Sequence, residues 1–106
     1  MILTTTSTVE GRPAMAYLGV VTSEVILGTN IFRDIFSTVR DIVGGRARSY
    51  ENVLKEGRAQ VLAELEEEAR KLRADAIVGI DLDYEVVGSR GAMLMITATG
   101  TAVRLG

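Results

Sequence analysis

The sequence has no cysteine, no histidine and no tryptophan, and only one of its 106 residues is proline. Without thiol and imidazole groups it lacks the preferred ligands of soft metal ions and has no basis for a disulfide framework. Cys–His and Ser–His pairs for nucleophilic catalysis are excluded for the same reason. We therefore expect a protein that is not an enzyme.

An excess of charge of one sign is also missing, as are long apolar runs. The chain has 12 Lys and Arg against 14 Asp and Glu, a net charge of -2, so it offers no basic stripe for nucleic acid. No segment approaches the roughly 18 uninterrupted apolar residues of a membrane span, and the first residues do not resemble a secretory signal. We expect a cytoplasmic protein that binds neither nucleic acid nor membranes.

What is present is typical of a single globular domain over residues 1–106, because 47% of the residues are apolar and 25% are charged. Short runs rich in β-branched residues, bounded by turn residues, predict strands over 2–6, 16–27, 76–87 and 93–103. The first of them is short enough to be an edge strand.

Two segments have helical periodicity. Asn30 is a suitable N-cap for a helix over 31–43, and Ser49, or a residue just before it, can cap a second helix that runs to about Leu72. Gly57 lies inside this second helix, which predicts a close approach by another part of the chain. The order β-β-α-α-β-β predicts an α+β two-layer sandwich, with two helices on one face of a mostly antiparallel sheet.

The last two strands predict their own pairing. If their apolar residues share one face and a three-residue loop, Ser89–Gly91, joins them, Tyr84 pairs with Ile96. The apolar set of the third strand is predicted to be buried together: Val78, Ile80, Leu82, Tyr84 and Val86. The other face would carry Val, Met and Thr residues as well as acids, so we expect a homo-oligomeric ring that covers it and pairs the exposed edges.

Three candidate binding sites follow from these assignments. Asp81, Asp83 and Glu85 occupy successive positions on one strand face, with alpha carbons roughly 6.6 Å apart, and two such carboxylates can bracket a divalent cation. The alternative is a solvated or arginine-paired strand face. Arg46 and Arg48, in a glycine-rich hinge before the long helix, form a candidate anion site, with a solvated loop as the alternative.

The thioethers of Met93 and Met95 are a third candidate, because they share a strand face and a symmetry axis would repeat them as a ring. The alternative is that these methionines fill a core or an interface. Thioethers are the only soft ligands in the chain, which argues against tight binding of zinc, cadmium or mercury by one subunit.

At this level of detail the sequence resembles the YbjQ family over essentially its whole length. The segments that carry the resemblance are Tyr17–Val21, Leu27–Asp34, Arg40–Arg46, Ala74–Glu85 and Met93–Met95. The family consists of small prokaryotic proteins of unsettled function labelled "putative heavy-metal-binding". The resemblance implies a dodecin-like subunit assembled into a homopentamer. Arg73 departs from the pattern, because the family usually has glycine at the end of the long helix.

The function we expect is a non-catalytic, homo-oligomeric binding protein that holds a divalent metal ion or a small anion at its subunit interfaces. The alternative is a structural or adaptor oligomer that recognises another protein without a ligand.

Overall fold

The computed structural model describes residues 1–28, 45–89 and 93–106, with side chains from residue 51 onward in the second range. These residues form four strands and one helix: β1 (Ile2–Leu3), β2 (Ala14–Leu27), α1 (Gly45–Lys71), β3 (Ala76–Val87) and β4 (Met93–Leu105). The helix predicted over 31–43, and Arg90 and Gly91 of the predicted turn, lie outside the described residues.

The four strands form one mixed sheet in the order β1-β3-β4-β2. β1 runs parallel to β3, and the other two pairings are antiparallel. Helix α1 packs on one face, mainly over β2 and β4. The α+β class is thus confirmed. Within the ranges that the structure describes, no helix is both long and apolar enough to cross a membrane.

The predicted pairing of the last two strands is confirmed. Tyr84 lies opposite Ile96 and Asp83 opposite Thr97, as the matching of apolar residues requires. The bounds of β3 agree with the prediction at both ends, while β4 continues two residues further, to Leu105.

A β-bulge at Gly79 interrupts β3 and corrects one prediction. Val78 lies opposite Thr101 but Asp81 lies opposite Thr99, so β3 has one more residue than β4 at this point. Gly79 has a φ of 62°, a conformation that glycine adopts without steric cost. The extra residue places Val78 and Ile80 on opposite faces, whereas the uninterrupted alternation predicted them on one face.

The main core lies between the sheet and α1. Its buried residues come from one face of the helix and one face of each long strand: Val21, Val25, Val61, Leu65, Ala69, Ile77, Ile80, Ile96, Ala98 and Ala102. Ser23 also faces the helix, and its hydroxyl donates to the carbonyl oxygen of Val61 at 2.7 Å. A side chain added at Gly57 would lie 2.9 Å from Ile96 Cδ1, which confirms the close approach predicted there.

A second, smaller core lies on the other face of the sheet, beneath the segment between β1 and β2. It contains Ala76, Val78, Val103 and Leu105, with Val9 packed against them. The bulge ties this segment to the sheet, because the Gly79 and Ile80 N–H groups donate to the Thr6 and Thr4 carbonyl oxygens at 2.8 and 3.1 Å. The part of this face beside Ala76–Val78, called the lower part here, is therefore covered by the chain itself, and the part beside the residues after Gly79 is called the upper part.

The start of α1 differs from the prediction, and its end is capped by backbone hydrogen bonds. The helix begins at Gly45, so the expectation that a residue at or just before Ser49 caps it is wrong, as is that of a non-helical hinge over 45–49. At its end, the Arg73 N–H donates to the Arg70 carbonyl and the Ala74 N–H to the Ala69 carbonyl. This is the Schellman arrangement, and it places Arg73 at a φ of 59° where glycine is preferred.

Burial along the upper half of β3 also differs from the prediction. Tyr84 is 47% exposed and Val86 is 53% exposed, although both were expected in the core. The reason is that α1 lies over β2 and β4 and leaves the far end of β3 at its side. One guanidinium nitrogen of Arg58 is 3.5 Å from the Tyr84 hydroxyl, at the margin of this uncovered region.

Candidate cation-binding face

The sheet face opposite α1, called the outer face here, changes character at the bulge. Below Gly79 it is apolar and covered by the N-terminal segment. Above the bulge, β3, β4 and β2 contribute residues in rows, of which the first two are polar and the third joins one acid to two apolar residues. The register gives the rows as Asp81–Thr99–Thr22, Asp83–Thr97–Glu24 and Glu85–Met95–Ile26.

The three acids predicted as cation ligands do share this face. Asp81, Asp83 and Glu85 are all exposed, and the bulge immediately precedes them. Thr97 and Thr99 are the cross-strand neighbours of Asp83 and Asp81 on β4. The hydroxyl and carboxylate oxygens on these rows are hard donors of the kind that calcium and manganese ions accept.

Asp81 and Asp83 occupy alternate positions of β3, so their side chains are neighbours on the outer face. A hydrogen bond with the Asp81 side chain raises the pKa of Asp83 above its ordinary value of 3.8, and the charge of Asp81 adds to this shift. Partial desolvation and the more distant charge of Glu85 raise the pKa further. The two carboxyl groups therefore repel each other when both are ionised, and a positive charge between them would remove that repulsion.

Counter-charges for this pair are absent among the described residues. The ion pairs found there involve Glu66, Glu67 and Glu68, on the solvent side of α1 and beside the N-terminus. Within the same ranges no group of three or more acidic side chains is close enough to surround one ion. The described part of one subunit thus supplies two adjacent carboxylates, and the other oxygen ligands it offers beside them are hydroxyl groups.

The donor set does not fit a soft heavy metal in one subunit. The chain has no thiolate or imidazole, and the methionines predicted as an alternative, Met93 and Met95, are half-buried on the outer face. Thioethers without thiolate or imidazole partners are weak ligands for divalent zinc, cadmium or mercury. The residues present favour a hard divalent cation.

The candidate anion site lies elsewhere. Arg46 and Arg48 belong to the first turns of α1 and not to a loop before the helix. No acidic residue lies in the first turn, so nothing there opposes the positive end of the helix dipole. The side chains of residues 45–50 lie outside the described part of the chain, and the anion site stays a prediction.

Sequence reasoning missed two members of the outer face, Thr22 and Glu24. Both lie on β2, in the rows of Asp81 and Asp83. Their alternation along β2 was visible, but their placement depends on a pairing between residues more than seventy positions apart in the chain. The sequence carries no local signal for it.

A cleft of about 270 Å³ opens lower on the outer face, between the N-terminal segment and the sheet. Tyr17, Val78 and Leu105 are among the residues that line it, and none of the lining residues is Asp, Glu, Lys or Arg. This cleft therefore offers no ionic site, and the charged chemistry of the outer face lies above the bulge.

Comparison with known proteins agrees with the fold. The sequence matches the family model described as "Putative heavy-metal-binding" over residues 1–106. A crystal structure of a protein with unknown function from the DUF74 family, from Pediococcus pentosaceus ATCC 25745, superimposes with a TM-score of 0.68 at 21% identity. The match covers 100% of this chain and 98% of that one, and at this identity it supports the fold alone. From the match along its whole length, the chain belongs to the YbjQ family.

Proposed function

We propose that this protein is a non-catalytic, homo-oligomeric binding protein of the cytoplasm, folded as the single domain 1–106, that holds a divalent cation at Asp81 and Asp83. The observation that carries the proposal is the placement of these two exposed carboxyl groups at alternate positions of one strand face, where Asp81 raises the pKa of Asp83. Such a pair is unfavourable for the isolated subunit at neutral pH, and a bound cation turns it into a favourable one.

The cation we propose is hard, with calcium and manganese as the best candidates. Two carboxylates and the hydroxyls of Thr97 and Thr99 provide oxygen ligands, and Glu85 can bind through a water molecule. The description of the family names metal binding and no reaction. From the two adjacent carboxylates that the described residues supply, we expect weak binding, with a Kd on the order of 10⁻⁴ M.

Homo-oligomerisation is proposed for a separate reason. Above the bulge the outer face has no covering layer among the described residues, and Tyr17, Val20 and Ile26 are more than half exposed there or at its lower margin. Contact between subunits would cover these side chains. We propose a ring, with the pentamer implied by the family resemblance as the expected size, and cation sites near the contacts between subunits.

Calorimetric titration of the purified protein with Ca²⁺ and with Mn²⁺ tests the cation site. We expect saturable binding to the wild type and binding roughly tenfold weaker or more after the double substitution Asp81→Asn and Asp83→Asn. The matched control is Glu67→Gln with Glu68→Gln, which removes two exposed carboxylates on α1 and should leave the affinity unchanged. Equal affinity in both double variants would contradict the proposal.

A parallel titration with Cd²⁺ separates hard from soft binding. If Cd²⁺ binds more tightly than Ca²⁺, and Met95→Leu abolishes this binding while the double Asn variant does not, the site is a thioether site and our assignment is wrong. If no metal binds and native mass spectrometry finds an empty oligomer, the adaptor function takes its place. The exposed outer-face side chains would then contact a partner protein.

A further inference from the structure

The edge strand β2 is unusually open to pairing. It forms one margin of the sheet, and no described residue hydrogen-bonds to its free side. From Gly19 to Leu27 it pairs residue for residue with β4, without a bulge, and this segment contains neither proline nor lysine. Natural proteins protect edge strands with those residues, with charges or with bulges, because an open edge pairs with another chain.

The opposite margin of the sheet is protected. β1 pairs with the first residues of β3, and the bulge follows directly. Further along, β3 carries Asp81, Asp83 and Glu85 at alternate positions, and this row of like charges disfavours another strand beside it. The two margins therefore differ, and β2 is the one left free to associate.

The free segment of β2 is also complementary to itself. Its nine residues are centred on Ser23, and the exposed apolar residues on the outer face lie three positions to either side of it. Val20 is 75% exposed and Ile26 is 55% exposed. The only charged residue in the segment, Glu24, lies one position after the centre.

We propose that β2 pairs antiparallel with β2 of a second copy of this chain, around a two-fold axis at Ser23. In this register Val20 of each copy lies beside Ile26 of the other, so four exposed apolar side chains cover one another. Glu24 of one copy lies beside Thr22 of the other, so the two carboxylates are diagonal neighbours and are not directly opposed. The pairing extends the sheet across both copies and satisfies the free backbone groups of both edges.

This contact goes beyond the cation site and does not depend on it. A two-fold contact joins subunits in pairs. The pentameric ring proposed above then forms through other surfaces, and this contact joins two such rings into a decamer.

Cysteine cross-linking tests the register, because the chain has no cysteine of its own. The double variant Val20→Cys with Ile26→Cys should form a covalent dimer under mild oxidation. Each single variant should not, because equivalent residues lie roughly 20 Å apart across the axis. A double variant that cross-links no better than the single variants overturns the proposed pairing.

A charge placed on the edge tests the contact without cross-linking. Ile26→Lys should halve the particle mass in native mass spectrometry while leaving the circular dichroism spectrum folded. The matched control is Val86→Lys, a similar change at an equally exposed site on the protected margin, which should leave the mass unchanged. The reverse pattern would place the contact on β3 and overturn the proposal. Because Asp81→Asn with Asp83→Asn leaves β2 intact, failure of the cation site and failure of this contact are distinguishable.

Discussion

Arg73 is the one residue other than glycine, among those described, that adopts a positive φ. It follows the last turn of α1 at the position where helices most often have glycine, and its φ of 59° brings its Cβ close to the neighbouring backbone. The helix end keeps both capping hydrogen bonds in spite of this, and the Arg104 side chain reaches the Arg73 carbonyl oxygen at 3.4 Å. Nothing in these contacts requires the arginine side chain itself.

We therefore expect Arg73→Gly to raise the free energy of unfolding by about 1 kcal/mol. Relief of the left-handed backbone contributes about 1–2 kcal/mol, and the greater freedom of glycine in the unfolded chain offsets about 0.5–1 kcal/mol of it. Urea denaturation measures the difference. Arg73→Ala is the control, because alanine keeps the Cβ atom and should bring no gain. Equal stability of the glycine and alanine variants would show that the backbone at this position is not strained.

The carboxyl pair on β3 predicts how stability changes with pH. The pKa of Asp83 is raised in the folded chain, so between its ordinary value of 3.8 and the raised value the folded chain binds protons more readily than the unfolded chain. The contribution of Asp83 to stability is therefore lost as pH rises through that window and regained as pH falls. Asp81→Asn removes the neighbouring charge and should flatten this dependence.

Urea denaturation of metal-free protein across acidic and neutral pH measures this effect. The Asp83 contribution is the difference between the free energies of unfolding of the wild type and of Asp81→Asn at each pH. We expect Asp81→Asn to be more stable relative to the wild type at neutral pH than at acidic pH. Glu67→Gln is the control, because Glu67 pairs with Arg70 and its removal should produce no such gain. Parallel profiles for the wild type and Asp81→Asn would contradict the assignment.

At the scale of the elements, the bulge in β3 depends on a glycine in the neighbouring strand. Gly100 lies beneath it, and a side chain added there would place its Cβ 2.6 Å from Ile77 Cγ2 and 3.3 Å from the Val78 carbonyl oxygen. The two strands can approach in this way only because β4 has no side chain at this point.

Gly100→Ala should lower the free energy of unfolding by about 1–3 kcal/mol, since a methyl group that close to both a core side chain and the backbone forces the strands apart. Thermal or urea denaturation gives the value. Gly28→Ala is a suitable control, because the added methyl group has no atom of the described residues within 4 Å. An alanine variant at position 100 as stable as the wild type would mean that the bulge adjusts without cost.

At the scale of the whole molecule, the sequence predicts the pairing of β3 with β4 but not the bulge within it. The alternation from Leu82 to Val86 and its match to Leu94–Ala98 are local patterns, and one buried face admits one register. The bulge at Gly79 has no such pattern, because glycine fits a regular strand as well. The bulge turns Val78 to the outer face, and an apolar residue can be buried there because the N-terminal segment covers it.

The candidate site also has features that the sequence predicts and features that it does not. Alternation alone predicts that Asp81, Asp83 and Glu85 share a face, and the structure agrees. The effect of Asp81 on the pKa of Asp83 depends on side-chain conformation, and the place of Glu24 in the row of Asp83 depends on pairing between distant parts of the chain. The alternation of residues along one strand predicts neither feature. The exposure of Tyr84 was missed because it depends on where α1 lies across the sheet.

The bulge at Gly79 has one further consequence, for how this chain can vary. One additional residue in β3 separates the part of the outer face that the N-terminal segment covers from the part that is exposed. It also determines which side chains of β3 face outward after Gly79. Substitutions of the acids above it leave the packing of Val78 and Val103 below it untouched. Loss of that one residue, in contrast, would turn every carboxylate of the upper strand toward the helix. Substitutions of the acidic residues therefore leave the fold of this surface intact, whereas a deletion in β3 would change which side chains the surface carries.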